Sequence, residues 1–206
     1  MKKYIQFIKT KSAIFVTGMV LGSLLILGIR FVTYKPLEAI HYHANFAVFI
    51  NGQMEQFKGM QYYEETEASA CTLEPVVSPS QRAHMHDNVN NVVHVEDNLV
   101  SWGSFIQNLH MGIGDDYIKT ADGYFPNTDQ AKLTFILNGK KVDTVVGLII
   151  GDKDKLLISY GNTTNDDLLK QYSTVPATAE KYDTSQDPAG CSGSKVQKYN
   201  RYNHLF

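Results

Sequence analysis

At three places in this chain a histidine is separated by one residue from a second polar ligand type: His41-Tyr42-His43, His84-Met85-His86 and His94-Val95-Glu96. Residues two apart share a face only on an extended strand, so the spacing calls for strands at all three places. Between the second and third lies Asp87-Asn88-Val89-Asn90-Asn91. Asn tolerates the left-handed conformation of tight loops, so a three-residue loop at Val89-Asn90-Asn91 is expected to join two short strands. Asn88 then faces Val92, His86 faces His94 and His84 faces Glu96. The result is one face bearing three imidazoles and a carboxylate, with Val93 and Val95 behind it. A four-residue loop at Asn88–Asn91 would reverse the parity and turn His94 away from His84 and His86.

The strand around the first pair, residues 41–50, has Ala44, Phe46, Val48 and Ile50 on one face and His41, His43 and Asn45 on the other. Asn51-Gly52 is a strong hairpin signal, with residues 53–57 as the return strand. Asn138-Gly139 repeats the signal inside a second hairpin over residues 133–142. The likeness is one of turn chemistry rather than an internal repeat. Residues 145–150 and 155–160 read as further strands around a Gly151-Asp152-Lys153-Asp154 turn, ended by Gly161. One helix is expected after Ser101, with Trp102, Phe105, Ile106 and Leu109 as its apolar stripe and Gly112 as its stop. Residues 58–82 read as irregular and 113–130 as turn-rich. The aspartates of the latter lack the ligand ladder of a calcium loop. Two short helices, 166–172 and 177–182, fall in a polar C-terminal extension. The fold class expected is α+β, a mostly antiparallel β-sheet domain with one packed short helix.

A single N-terminal transmembrane helix precedes it. Lys2, Lys3, Lys9 and Lys11 lie before an apolar run over residues 13–29, extended by Phe31 and Val32 past Arg30. About 20 apolar residues cross a bilayer, and the lysines favour a cytoplasmic N-terminus. The expected order is a cytoplasmic segment 1–12, an anchor 13–34 ended by Pro36, an extracytoplasmic His-rich β domain 37–161 and an extension 162–206. The anchor ends a few residues before His41, which keeps that pair near the bilayer unless the linker is extended. A cleaved signal peptide is the rival, but the run is long for one and no small-x-small site follows. Outside the cytosol a Cys71–Cys191 disulfide is expected, tying the extension back; a pair of metal-ligating thiolates is the alternative. The net charge of −2 and the lack of a basic patch exclude nucleic acid as an expected partner.

Imidazole is the commonest protein metal ligand, and His84, His86, His94, His41 and His43 are the candidate set, with Glu96 and His110 weaker members. Two His-x-His pairs plus a His-x-Glu suit zinc or copper. Met85 and Met111 flank histidines, and a thioether would favour copper(I), but Met85 alternates with its neighbours and belongs to the opposite face. The competing readings are a hydrogen-bonded polar seam and a pH-sensitive histidine cluster. His-x-His on one strand with a third His on the next resembles the zinc frame of α-carbonic anhydrases.

The pattern as a whole is His-x-His before an Asn-Gly hairpin, then His-x-His-Asp, His-Val-Glu, a Trp-Gly helix and a second Asn-Gly hairpin. Over roughly residues 41–160 it resembles a group of small membrane-anchored prokaryotic proteins with no assigned function. The resemblance implies a shared site and carries no activity with it. The function expected is a membrane-anchored extracytoplasmic carrier, sensor or store for copper or zinc, with the question of catalysis left open. The alternative is a metal-dependent hydrolase or redox enzyme in which Glu96 or Asp87 serves as base. A further alternative is a surface interaction module with structural histidines. No Gly-x-Ser-x-Gly, His-Glu-x-x-His or phosphate-binding loop is present. No particular protein partner is indicated.

Overall fold

The computed structural model describes residues 2–33, 40–63, 78–86 and 88–184. The chain divides into two compact units. Of the first, the described part is one helix, α1 (Lys2–Thr33), in which Thr10–Thr33 is apolar enough to cross a membrane, with a mean hydropathy of 2.2.

The second unit is mixed α and β, built on a mostly antiparallel sheet. Its centre is β1 (Tyr42–Ile50), in which every residue but the first is buried. A strand buried on both faces reads as a nearly continuous apolar run, as this one does after Asn45. β10 (Lys155–Gly161) lies parallel along one edge of β1. β8 (Lys132–Leu137) and β9 (Lys140–Val142) continue antiparallel beyond it, and the Asn138-Gly139 turn holds φ of 52° and 77°. The other edge of β1 is shared. β4 (Val92–Val95) pairs with its first half and β2 (Gln53–Met54) with its last residues. The return strand expected over 53–57 is only two residues long. β3 (Ala83–His84) completes this side, antiparallel to β4.

Two cores form, one on each face. Ala44, Phe46, Val48 and Ile50 join Ala83, Met85, Val93 and Val95 in the larger, under α3 (Trp102–Asn108). The expected stripe of Trp102, Phe105, Ile106 and Leu109 is buried there, and Ser101 caps the helix. Ala47, Phe49, Ile136 and Leu157 make the smaller core, covered by Leu168 and Val175 around α4 (Asn165–Thr174). A last helix, α5 (Ala179–Thr184), lies on β1.

Four local expectations need correction. The stop after α3 is His110, which takes the left-handed conformation at φ 59°, and not Gly112, which begins β5 (Gly112–Ile113). The turn-rich stretch is a three-stranded antiparallel meander of β5, β6 (Tyr117–Thr120) and β7 (Gly123–Pro126). Residues 78–82 are not irregular: Ser78 and Gln81 form a capping box that opens α2 (Pro79–Arg82), with proline in its first turn. Residues 145–150 are no strand. They wrap the start of α3, with Trp102 N–H donating to the Leu148 carbonyl and Ile150 N–H to the Val100 carbonyl. Residues 34–39, 64–77 and 185–206 lie outside the described residues, and with them Pro36, Cys71 and Cys191.

Gly103 lets α3 approach this wrap, since a Cβ there would collide with the Val146 carbonyl. Gly103→Ala is expected to cost about 1–3 kcal/mol, the usual range for overpacking against backbone. Gly147, where a Cβ meets nothing within 4 Å, serves as control: Gly147→Ala should stay within about 0.5 kcal/mol of wild type. Urea unfolding of both variants checks this. Equal stability of the two would contradict the close approach.

Candidate metal site

The site lies on the face of the sheet opposite the larger core. β3, β4 and β1 are neighbours, and their register sets His84 opposite His94 and His94 opposite His43. Cross-strand partners project from the same face, so three imidazoles form a row over three strands. His41 and His86, each two residues from a member of the row, flank it. His94 is the hub. Its ring centroid lies 4.5 Å from that of His41, 4.6 Å from His86, 4.7 Å from His43 and 5.0 Å from His84.

The hairpin register differs from the expected one by two residues. Ala83 faces Val95 and His84 faces His94, not Glu96. The loop is longer, and it uses Asn88 and Asn91 as its left-handed residues, at φ 54° and 67°. A shift of two preserves the parity, so His84, His86 and His94 still share a face. Glu96 stays beside His94, with its Oε1 3.1 Å from His94 Nε2.

Each hydrogen bond to an oxygen acceptor settles a tautomer, because only a protonated nitrogen can face one. His94 donates Nε2–H to Glu96 Oε1, and its Nδ1 lies 2.6 Å from His86 Nε2. His84 donates Nδ1–H to the Ser80 carbonyl at 3.1 Å. His43 donates Nδ1–H to Asp183 Oδ1 at 2.8 Å, and its backbone N–H donates to the same oxygen at 3.1 Å. In both residues Nε2 is left with its lone pair. A carboxylate or carbonyl on the far nitrogen is the usual support of a metal-ligating histidine.

Asp183 is in place because α5 is latched to β1 by Asn45. The Asn45 Oδ1 accepts from the backbone N–H groups of Thr178 and Ala179, each at 2.9 Å. Its Nδ2 donates to the Asn91 carbonyl at 3.3 Å and to Thr178 Oγ1 at 3.2 Å. Asn45 and His43 are two apart on a strand, and Ala179 and Asp183 are four apart on a helix. Those two spacings are both about 6–7 Å, so the second contact follows from the first. The Tyr182 ring sits 5.8 Å from that of His43. Asp183 carries no local sequence signal as a site residue: it meets His43 across a sequence separation of 140.

Burial sets the charge state. His84 is pushed down to about 3, first by desolvation, then by neighbouring His94 and His86, against the opposing pull of Glu96 and the Ser80 carbonyl. Burial also lowers His43, outweighing its bond to Asp183. Both are neutral at pH 7, the form in which imidazole binds a metal.

Two groups can hold a metal ion: His41, His43 and His94; and His84, His94 and Glu96. The donor atoms of each lie within 4.8 Å of one another. Tetrahedral zinc with nitrogens at about 2.0–2.1 Å places its donors about 3.3 Å apart, so side-chain adjustments suffice. His41 Nε2 makes the fit specific. It is buried and has no hydrogen-bond partner, which is rare for a buried polar atom and is what a ligand nitrogen looks like without its ion. His86 reaches the cluster through His94. His110 is exposed at the end of α3 and joins neither group. Met85 and Met111 are buried in the larger core and offer the site no thioether. Asp87 lies outside the described residues. No family model matches this chain, and no curated protein or solved structure matches it either.

The lowered histidines also fix a pH dependence. Between about 3 and the ordinary value of 6.5 for His84, the unfolded chain binds a proton that the folded chain refuses. Stability of the metal-free protein is therefore complete above about pH 6.5 and is lost as pH falls through that window, with His43 acting in the same direction. Urea midpoints of metal-free protein at pH 7, 6 and 5 should fall in that order, and less steeply in His84→Ala. A midpoint flat from pH 7 to pH 5 would show that these imidazoles are not held neutral.

Proposed function

We propose that the protein is a membrane-anchored, extracytoplasmic carrier for a transition metal ion, zinc or copper. The observation that carries this reading is the packing of four imidazoles around His94, with His43 and His84 buried, neutral and fixed in tautomer, and an orphaned His41 nitrogen. The donors are nitrogen and oxygen, which suits zinc or copper(II); with both flanking methionines in the core, nothing here favours copper(I). Glu96 already accepts from His94, so it steadies the hub and is not a free base, and this supports a carrier over a hydrolase.

The apolar stretch Thr10–Thr33 has 24 residues, a helix of about 36 Å against a hydrocarbon core of about 30 Å. Lys2, Lys3 and Lys9 before it and Lys11 at its start support a cytoplasmic N-terminus and a domain outside the cell membrane. In that compartment Cys71 and Cys191 are expected to pair.

Calorimetric titration of metal-stripped, full-length protein with zinc and copper(II) tests the reading. About one equivalent is expected, with His94→Ala weakening binding at least about 100-fold and His110→Ala leaving it unchanged. Absence of binding, or wild-type binding by folded His94→Ala, would leave the histidines a structural role only.

A further inference from the structure

Three chain segments meet at the end of the sheet where β1 begins. Tyr42 pairs with Val95, so the residues after β4 emerge there, and Lys155 pairs with Asn45, so the residues before β10 arrive there. The Tyr42 hydroxyl donates to the Ile150 carbonyl at 2.8 Å, the Lys153 N–H to the His43 carbonyl at 2.8 Å and the Ile150 N–H to the Val100 carbonyl at 2.9 Å. Leu99 and Ile149 each adjoin a member of that last bond. They are 76% and 44% exposed, and Leu148 beside them is 36% exposed.

The backbone of Leu99 is also strained. Its φ of 57° is left-handed, a conformation that Gly or Asn takes at less cost. Its side chain belongs to neither core. An apolar patch rimmed by polar groups marks a surface that binds protein or membrane. The charges of this rim are balanced: Arg82 pairs with Asp97 at 2.6 Å and Lys153 with Asp152 at 3.7 Å.

The chain itself supplies an occupant. α1 ends at Thr33 and β1 begins at Tyr42, 42 − 33 = 9 residues on, and nine residues span at most about 32 Å. That tether attaches at the end of the sheet that carries the patch. A stable protein interface needs about 800 Å² per partner, more than three side chains supply. A tethered surface needs far less, because the tether keeps its effective concentration high.

Resting on the membrane-anchor reading, we infer that Leu99, Leu148 and Ile149 insert into the bilayer that holds α1. The contact is with hydrocarbon and not with headgroup charge. It turns the start of β1, and with it His41 and His43, toward the lipid surface. Leu99 lowers folding stability and gains lipid contact.

Tryptophan quenching in full-length protein tests this, using phosphatidylcholine vesicles whose lipids are brominated high on the acyl chains. Ile149→Trp puts a reporter on the patch, and wild-type protein, with Trp102 alone, gives the background. Leu169→Trp is the control. Leu169 is 64% exposed on α4, beside Lys170 and Gln171, which line a cleft with Asn51 and Gly52 at the other end of β1. The Ile149→Trp reporter should be quenched at least about twofold and the Leu169→Trp reporter less than about 1.2-fold, and adding phosphatidylglycerol should change neither. Adding Leu99→Asn should reduce the quenching of the Ile149→Trp reporter at least about twofold. Leu99→Asn alone should leave the thermal midpoint in detergent no lower than that of wild type, since Asn accepts the left-handed backbone. Equal quenching of the two reporters would overturn the inference. So would quenching that requires phosphatidylglycerol, or quenching that Leu99→Asn leaves unchanged. A lowered midpoint would show that Leu99 serves the fold and not the lipid. Protein stripped from the vesicles by alkaline carbonate would show that the anchor reading fails, and the inference with it.

Discussion

His94 is almost completely buried, and a buried imidazole needs a partner at each ring nitrogen. Glu96 accepts from Nε2–H, and His86 Nε2 meets Nδ1. This pair of contacts holds the His94 ring at a fixed angle, around which the other imidazoles pack at 4.5 to 5.0 Å. The arrangement depends on the β3–β4–β1 register. Slipping one strand by a single residue would send its histidine into the larger core and bring a valine or alanine to the site face. The apolar residues that alternate with the histidines resist such a slip, since Val93, Val95, Ala83, Met85 and Ala44 are all buried in that core.

The site face of a sheet cannot remain open when its next residues along β1 are Ala47 and Phe49. α4 covers those two, and α5 follows it onto the strand. The same burial that completes the smaller core thus brings Asp183 to His43. Stability and ligand orientation have one cause here, and the polar character of residues 162–184 conceals it. Leu168 and Val175 are the buried apolar anchors that stretch contributes to the smaller core, with Tyr172 packed against it.

Much of this could be read from the chain. The period of two at His41/His43 and His84/His86 located strands and their shared face, and Asn51-Gly52 and Asn138-Gly139 located hairpins, because these signals are local. Parity survived the error in the loop because a shift of two residues leaves a strand's faces unchanged. The strand order was not legible: nothing near His43 announces that β4 will lie beside it, and the parallel β1–β10 pair joins residues more than a hundred positions apart. Asp183 was missed for the same reason. The α2 capping box was a local signal that went unread, since Ser78-Pro79-Ser80-Gln81 carries both the cap and the proline. The expected strand at residues 145–150 failed through tertiary competition, its backbone groups being taken by Val100 and Trp102.

The central claim is that the imidazoles around His94, and no sulfur, surround a bound metal ion. X-ray absorption of the zinc-loaded and copper-loaded protein measures that directly. The account predicts a shell of nitrogen and oxygen at about 2.0–2.1 Å with the outer scattering of at least two imidazole rings. A sulfur shell at about 2.3 Å would contradict it, placing the ion on cysteine instead.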